Sequence, residues 1–106
     1  MPLYRDSENS YTLSFVDASG AAEDVSARDF RMEIYQNGTT VTLSMGDGIA
    51  FDDDGTDGIV NITLSKARTN QFCSGGVRVR LFDDSGSDPI LTHEGSDTVE
   101  GKGFDA

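Results

Sequence analysis

The sequence has little of what most catalytic and metal-binding chemistry requires. Its 106 residues include one cysteine, one histidine, two prolines and no tryptophan. The single cysteine, Cys73, excludes an internal disulfide, and the single histidine, His93, excludes a metal site built from several histidines of one chain. We interpret Cys73 as a packed or partly buried thiol and His93 as a residue on a strand face. No segment approaches the run of about 20 apolar residues that a membrane-spanning helix needs.

Positive charge is also scarce, with 8 Lys and Arg against 19 Asp and Glu and a formal net charge of -11. A surface this acidic repels phosphate backbones and anionic lipids. We therefore expect no nucleic-acid and no membrane partner, whereas a basic protein partner or a cation-rich medium would suit the charge. The first ten residues lack the basic start and apolar run of a secretory signal, which indicates a protein made in the cytosol without an export address.

What the sequence does contain is alternation of apolar and polar residues, the pattern of strands with one buried face. The clearest cases are the segments 59–65 and 77–82, joined by a long glycine-ended crossover. Asn37-Gly38 lies between two further alternating segments and predicts a tight hairpin, because both residues tolerate the positive φ of a type I′ turn. The residues predicted to face the core are Tyr11, Leu13, Phe15, Phe30, Met32, Ile34, Val41, Leu43, Met45, Val60, Ile62, Leu64, Val77, Val79 and Leu81.

About seven such strands, with turn residues roughly every ten positions, predict an all-β domain, an antiparallel β-sandwich. We place this domain at residues 11–100. Residues 1–10 are predicted to form an N-terminal arm, loose or held by a partner, and residues 101–106 a short C-terminal tail.

The acidic segment 52–58 is the clearest candidate for a metal site, since calcium prefers carboxylate oxygens. It does not follow the calcium-loop pattern, because a start at Asp53 puts Leu64 where the twelfth-position Glu belongs. We interpret it as a solvated turn, with a weak divalent-ion site as the alternative. The glycines lie at turns between strands rather than before a helix, so they predict no phosphate loop. We find no catalytic residues, no metal ligands and no cofactor.

A series of short motifs runs along nearly the whole chain. In order they are Asp17 to Gly20, Asp24-Val25-Ser26, FRMEIYQ, Gly46-Asp47-Gly48-Ile49, GIVNITLS from Gly58 to Ser65, Thr69 and Phe72 in the crossover, Gly76 before VRVRL, and the closing Leu91, Gly95 and Val99. This series resembles the small immunoglobulin-like β-sandwich domains of tailed-phage virions, including the N-terminal modules of baseplate upper proteins. It departs from them at Val77, where an aromatic residue usually stands.

The resemblance implies an immunoglobulin-like sandwich without enzymatic activity. Because those modules often precede longer regions whereas this chain ends, we expect a capsid decoration (cement) protein made in the host cytoplasm and located on the outer capsid. Its partners would be the major capsid protein and copies of itself, in a homo-oligomeric or symmetry-repeated arrangement. The alternatives are a head-tail, baseplate or receptor-binding component, and a calcium- or carbohydrate-binding module. The residues predicted to form the protein interface are Leu3, Tyr4, Arg78, Arg80, Phe82 and Phe104.

Overall fold

A computed structural model, which describes residues 3–100, confirms the all-β class. Eight strands and one short helix follow each other along the chain. They are β1 Leu3–Tyr4, β2 Asn9–Ser14, β3 Phe30–Gln36, β4 Thr39–Met45, β5 Gly48–Phe51, β6 Ile59–Leu64, α1 Lys66–Thr69, β7 Gly75–Asp83 and β8 Ile90–Glu100.

All eight strands belong to one hydrogen-bonded sheet, in the order β1-β8-β7-β3-β4-β5-β6-β2. The sheet is mixed, because β1 pairs with β8 and β4 with β5 in parallel. The outermost strands, β1 and β2, are consecutive in the chain and joined only by residues 5–8, so the two edges of the sheet are held together at one end. The sheet is thus nearly closed into a barrel. The two facing antiparallel sheets of an immunoglobulin-like sandwich are not confirmed.

The predicted strand faces are confirmed, because the register pairs apolar residues with apolar residues across neighbouring strands. Met32, for example, lies opposite Leu43 on β4 and Leu81 on β7. A one-residue slip of register would turn this entire set of side chains to the outer face. Each large aliphatic side chain exposed in this way would lose about 1.5–3 kcal/mol of stabilisation. Of the residues predicted to face the core, all are buried except Tyr11, Leu13, Met45 and Val79, which are partly buried and packed against it.

The predicted Asn37-Gly38 hairpin is confirmed. Asn37 has a φ of 40° and Gly38 a φ of 85°, so both central residues are left-handed. A type I′ turn of this kind has the same right-handed twist as the strands that it joins. It fixes the pairing of β3 with β4, from Gln36 opposite Thr39 to Arg31 opposite Ser44.

The crossover between β6 and β7 lies over one end of the barrel. Three strands, β3, β4 and β5, separate β6 from β7 in the sheet, and α1 begins the connection with Ser65 as its N-cap. Thr69 and Phe72 are fully buried there, so they cover the core at this end. Cys73, next to Phe72, is exposed. The interpretation of Cys73 as a packed thiol is therefore wrong, since Phe72 takes the buried position.

Residues 3–10 are part of the fold rather than an arm. Leu3 pairs with Val99 of β8, and both side chains are buried in the core. The Asn9 side chain fixes the following corner: it accepts a hydrogen bond from the Tyr4 N–H and donates to the Tyr4 carbonyl and to Thr69 Oγ1. The predicted tail, 101–106, lies outside the described residues.

Candidate functional site

The outer surface of strands β3, β7 and β8 brings together three of the six side chains that the sequence predicts for protein contact. Arg78 lies between Tyr35 on β3 and Ser96 on β8, and Arg80 lies between Glu33 and Glu94. Phe82 lies between Arg31 and Leu91. We call this surface, made by Arg31, Glu33, Tyr35, Arg78, Arg80, Phe82, Leu91 and Glu94, the contact face.

The arginines of the contact face are held by aromatic rings and carboxylates of the same face. The guanidinium of Arg31 lies 4.3 Å from the centre of the Phe82 ring, and that of Arg80 lies 5.5 Å from the centre of the Tyr35 ring. Arg78 and Arg80 both pair with Glu94. Their side chains nevertheless remain 63% and 41% exposed, so their charges are accessible to a partner.

Hydrogen bonds also shift the pKa values of two groups on the contact face. The side chain of Tyr35 donates to Glu33, and this bond raises the pKa of the phenol. The bond from Arg31 to Asp84, the residue directly after β7, raises the pKa of that guanidinium. Both groups therefore keep their neutral-pH state, a protonated phenol and a cationic guanidinium.

Of the six predicted interface residues, the structure brings three together and places Leu3 and Tyr4 elsewhere. Arg78, Arg80 and Phe82 share the contact face. Leu3 is fully buried, so its side chain is not available at the surface, whereas Tyr4 is 41% exposed beside β8. Phe104 lies outside the described residues.

Sequence reasoning missed the other five members of the contact face, namely Arg31, Glu33, Tyr35, Leu91 and Glu94. Arg31 and Tyr35 stand at the non-core positions of FRMEIYQ, so the alternation already placed them on an outer face. What the sequence lacks is the pairing of β3 with β7, which sets Arg31 beside Phe82. That pairing joins residues that are 43 to 53 positions apart in the chain.

Aspartate-based turns occupy the end of the barrel opposite α1. In each of the segments Asp17-Ala18-Ser19, Asp24-Val25-Ser26 and Asp54-Gly55-Thr56, the carboxylate accepts bonds from the backbone N–H and the hydroxyl of the residue two positions later. These bonds lower the pKa of all three carboxyls, and the bond from the hydroxyl has the largest effect. They use acceptor capacity that a cation would need.

The acidic segment 52–58 therefore reads as a structured turn. Its Asp57 accepts a bond from the Ile59 N–H, and its Asp52 accepts one from Asn61. Within residues 3–100, no group of three or more His, Cys, Asp or Glu side chains is arranged to hold a metal ion. The same part of the chain contains no helix of the length and apolarity needed to cross a membrane.

A second feature is the seam where β2 and β8 face each other without backbone pairing. Side-chain contacts bridge it. The Tyr11 hydroxyl donates to Asp97 Oδ2 at 2.6 Å, and the Phe15 ring meets the His93 ring edge-on, with centres 5.3 Å apart. Both contacts fit one antiparallel register, which places Leu13 level with Gly95. His93 thus lies on a strand face, as predicted.

A cavity of about 250 Å³ lies behind the seam. Its interior is apolar, and its polar groups belong to Tyr11 and to the β8 residues at its mouth. Burial, together with the bond to Asp97, raises the pKa of Tyr11 far above its usual value, so the phenol stays protonated. The lining residues are Tyr11, Leu13, Met32, Ile34, Ile62, Val79, Leu81 and His93 to Asp97.

No protein-family model and no curated protein sequence matches the chain. Among solved structures, it is similar to a proposed glycoside hydrolase from Bacteroides vulgatus ATCC 8482, with a TM-score of 0.59 and 11% sequence identity. The match covers 97% of this chain and 17% of that protein. At this identity the similarity shows the fold alone. It indicates that this fold also occurs as one part of a much longer chain.

Proposed function

We propose that the protein is a non-enzymatic structural component of a tailed-phage virion, specifically a capsid decoration protein that binds neighbouring capsid subunits. The contact face is the observation that carries this proposal. It combines arginine, aromatic and aliphatic side chains on one regular surface, the residue types that are enriched in protein interfaces. We also propose that the fold is an immunoglobulin-like sandwich, because the two halves of a sheet whose edges nearly meet pack face to face.

Charge distinguishes the contact face from the rest of the molecule. Three arginines stand against Glu33, Glu94 and the adjoining Asp84, which pairs with Arg31, so this surface is formally neutral in a protein of net charge -11. Repulsion from the protein's own acidity is therefore weakest there. A second copy of the chain or an acidic capsid subunit would approach this face more readily than any aspartate-rich turn.

The contact-face arginines can also exchange their carboxylate partners within the chain for carboxylates of a bound protein. Ion pairs between exposed groups contribute only about 0–1 kcal/mol, so replacing Glu94 by a partner's carboxylate costs little. Stacking on Tyr35 and Phe82 already orders the Arg80 and Arg31 side chains. Less conformational entropy is then lost on binding.

Exposed apolar side chains extend the contact face at one end. Val16 is 58% exposed, Ile90 60% and Leu91 47%. Val16 follows β2 and the other two begin β8, so the seam brings them to the same end of the molecule. An exposed apolar cluster beside a charged rim is typical of protein contact sites.

Binding to capsids tests the proposal. Capsids assembled without the chain are mixed with the purified protein and sedimented. We expect the protein to sediment with them, and Arg78→Glu to weaken binding about tenfold or more, because it reverses the charge of a contact-face residue. Lys66→Glu is the matched control, since it makes the same exposed charge reversal on α1 and should bind like the unaltered protein.

Two outcomes would contradict this assignment. Equal loss of binding in both variants would indicate a general charge effect rather than a specific face. Failure to bind capsids, together with copurification with tail fibres, would place the protein in the baseplate or the receptor-binding apparatus.

A further inference from the structure

The register of β3 with β7 gives the contact face a self-complementary pattern. Three outward pairs follow each other along the two strands: Arg31 with Phe82, Glu33 with Arg80, and Tyr35 with Arg78. Each pair sets a group on β3 opposite a group of complementary chemistry on β7, a guanidinium with a ring or with a carboxylate. A surface in which every group on one strand complements its neighbour on the next strand can also complement a copy of itself.

One twofold axis brings two copies of this pattern into contact. The axis lies in the plane of the contact, runs along the strands and passes between β3 and β7. Rotation about it lays β3 of one copy over β7 of the other without a shift along the strands. Glu33 of each copy then meets Arg80 of the other copy, and the two cation–ring pairs are repeated between the copies in the same way. Each contact occurs twice, as in every isologous interface.

The charges disfavour the other twofold arrangement of the two faces, in which the axis runs across the strands. With that axis at the level of Glu33 and Arg80, each of these residues would meet its own equivalent in the other copy. Two carboxylates and two guanidinium groups would then repel each other at the centre of the contact. The charge pattern therefore selects the axis along the strands.

The shape of the sheet limits the area of such a contact. The contact face is the outer side of a nearly closed sheet and is therefore convex, so two copies with parallel strands touch chiefly along β3 and β7. At about 4.8 Å between strands and 3.4 Å per residue, the seven residues of β3 and their neighbours on β7 form a strip of roughly 10 by 24 Å. This is well below the roughly 800 Å² per partner of a standard interface. The contact is therefore expected to be weak and readily reversed.

The acidity of the protein does not prevent two copies from meeting at this face. The contact face together with Asp84 is formally neutral, whereas the whole chain has a net charge of -11. At 0.15 M salt the screening length is about 8 Å. Repulsion between the remote aspartate-rich turns is then largely screened, while charges in contact across the strip still interact.

We propose that two copies of the chain associate through the contact face as a weak dimer, with the twofold axis along the strands between β3 and β7. This inference rests on the same face as the proposed function but needs no capsid. In the free protein the second copy covers β3 and β7. A capsid subunit would replace that copy, because a weak dimer dissociates readily.

Sedimentation equilibrium of the full chain at pH 7 and 0.15 M salt, without capsids, tests the association. We expect a monomer–dimer equilibrium with a Kd of about 10⁻⁵–10⁻⁴ M, in keeping with a small contact. In NMR spectra recorded at increasing protein concentration, the amide shifts should change mainly in β3 and β7.

Glu33→Arg and Arg80→Glu test the axis. Each variant alone should associate about tenfold or more weakly than the unaltered protein, because like charges then meet at both equivalent positions. Mixed in equal amounts, the two variants should associate with each other about as tightly as the unaltered protein does, since each reversed charge now meets its complement. Mixing repairs no pair within either chain, so an effect on folding alone cannot restore association.

Glu8→Arg and Lys66→Glu are the matched controls, because both reverse an exposed charge outside the contact face. They should associate like the unaltered protein, singly and mixed. An unaltered protein that remains monomeric at about 1 mM, or concentration-dependent shifts outside β3 and β7, would overturn the inference. So would normal self-association of both contact-face variants, or folded variants that do not associate on mixing. If either variant does not fold, the shifts of the unaltered protein decide. A dimer that fails to bind capsids would overturn the proposed function alone.

Discussion

At the scale of single residues, Gly58 shows most clearly how backbone geometry limits the sequence. It is the last residue of the acidic segment 52–58, it has a φ of 73°, and its carbonyl accepts a hydrogen bond from the Phe15 N–H. A Cβ at this position would lie 2.5 Å from the Phe15 carbonyl oxygen and 2.8 Å from that of Glu23. Both neighbours are backbone atoms, so neither can move without disturbing the turn that they form.

We therefore expect Gly58→Ala to lower the free energy of unfolding by about 2–4 kcal/mol, from left-handed strain and the steric clash together. Gly20→Ala is the control, because Gly20 has a φ of 86° but open space around it. It should cost about 1–2 kcal/mol, the strain alone. Urea unfolding of the three proteins at 25 °C measures the difference. Equal costs would show that the close approach at Gly58 is not present in solution.

At the scale of secondary-structure elements, β1 shows that Leu3 and Tyr4 belong to the sheet and not to an N-terminal arm. It has only two residues, yet it forms one edge of the sheet and places Leu3 in the core against Val99. Such a strand gives no periodic signal. Its position is set by pairing with β8, almost a whole chain length away.

Leu3→Ala should lower the free energy of unfolding by about 2–5 kcal/mol, the usual cost of removing a buried leucine side chain. Tyr4→Ala is the matched variant in the same strand. Tyr4 is 41% exposed and its backbone, not its ring, is bonded to Asn9. Its loss should therefore cost less than about 1 kcal/mol. Thermal or urea unfolding compares the two; a neutral Leu3→Ala would instead support a loose arm.

The elements also show which parts of the fold were accessible from sequence. The Asn37-Gly38 hairpin and the buried faces of β3, β4, β6 and β7 were predictable, because turn chemistry and alternation act between neighbouring residues. The sheet order was not. The pairing of β3 with β7, which assembles the contact face, depends on packing between distant segments. The exposure of Cys73 was missed for the same reason, since only the tertiary structure shows that Phe72 is the buried neighbour.

At the scale of the whole molecule, the sheet closes through side chains rather than backbone bonds. Tyr11 and Asp97 form one contact of the seam, and Phe15 and His93 form another. This arrangement leaves the cavity between them. Of the seam, the sequence predicted only that Tyr11, Leu13 and Phe15 face the core and that His93 lies on a strand face. The approach of β2 to β8 follows from the curvature of the complete sheet.

The Tyr11 contact predicts a pH dependence of stability. Its raised pKa means that the folded protein keeps the phenol protonated, whereas the unfolded chain releases the proton near pH 10. Stability from this group is therefore complete below pH 10 and is lost as the pH rises beyond it. Tyr11→Phe should lower the free energy of unfolding by about 1 kcal/mol at pH 7 and flatten this alkaline decline. Urea unfolding between pH 7 and 11 measures both effects, with Tyr4→Phe as the control; an unchanged alkaline decline in Tyr11→Phe would contradict the assignment.

The seam itself is tested most directly by NMR distance measurements across it. We expect contacts between the Phe15 and His93 ring protons, strong Hα–Hα contacts between β2 and β6, and no strong Hα–Hα contacts between β2 and β8. Strong Hα–Hα contacts linking Leu13 or its neighbours to Gly95 would show a fully paired barrel without the cavity. Absence of the Phe15–His93 contact would show an open sheet, and either result would contradict the closure described above.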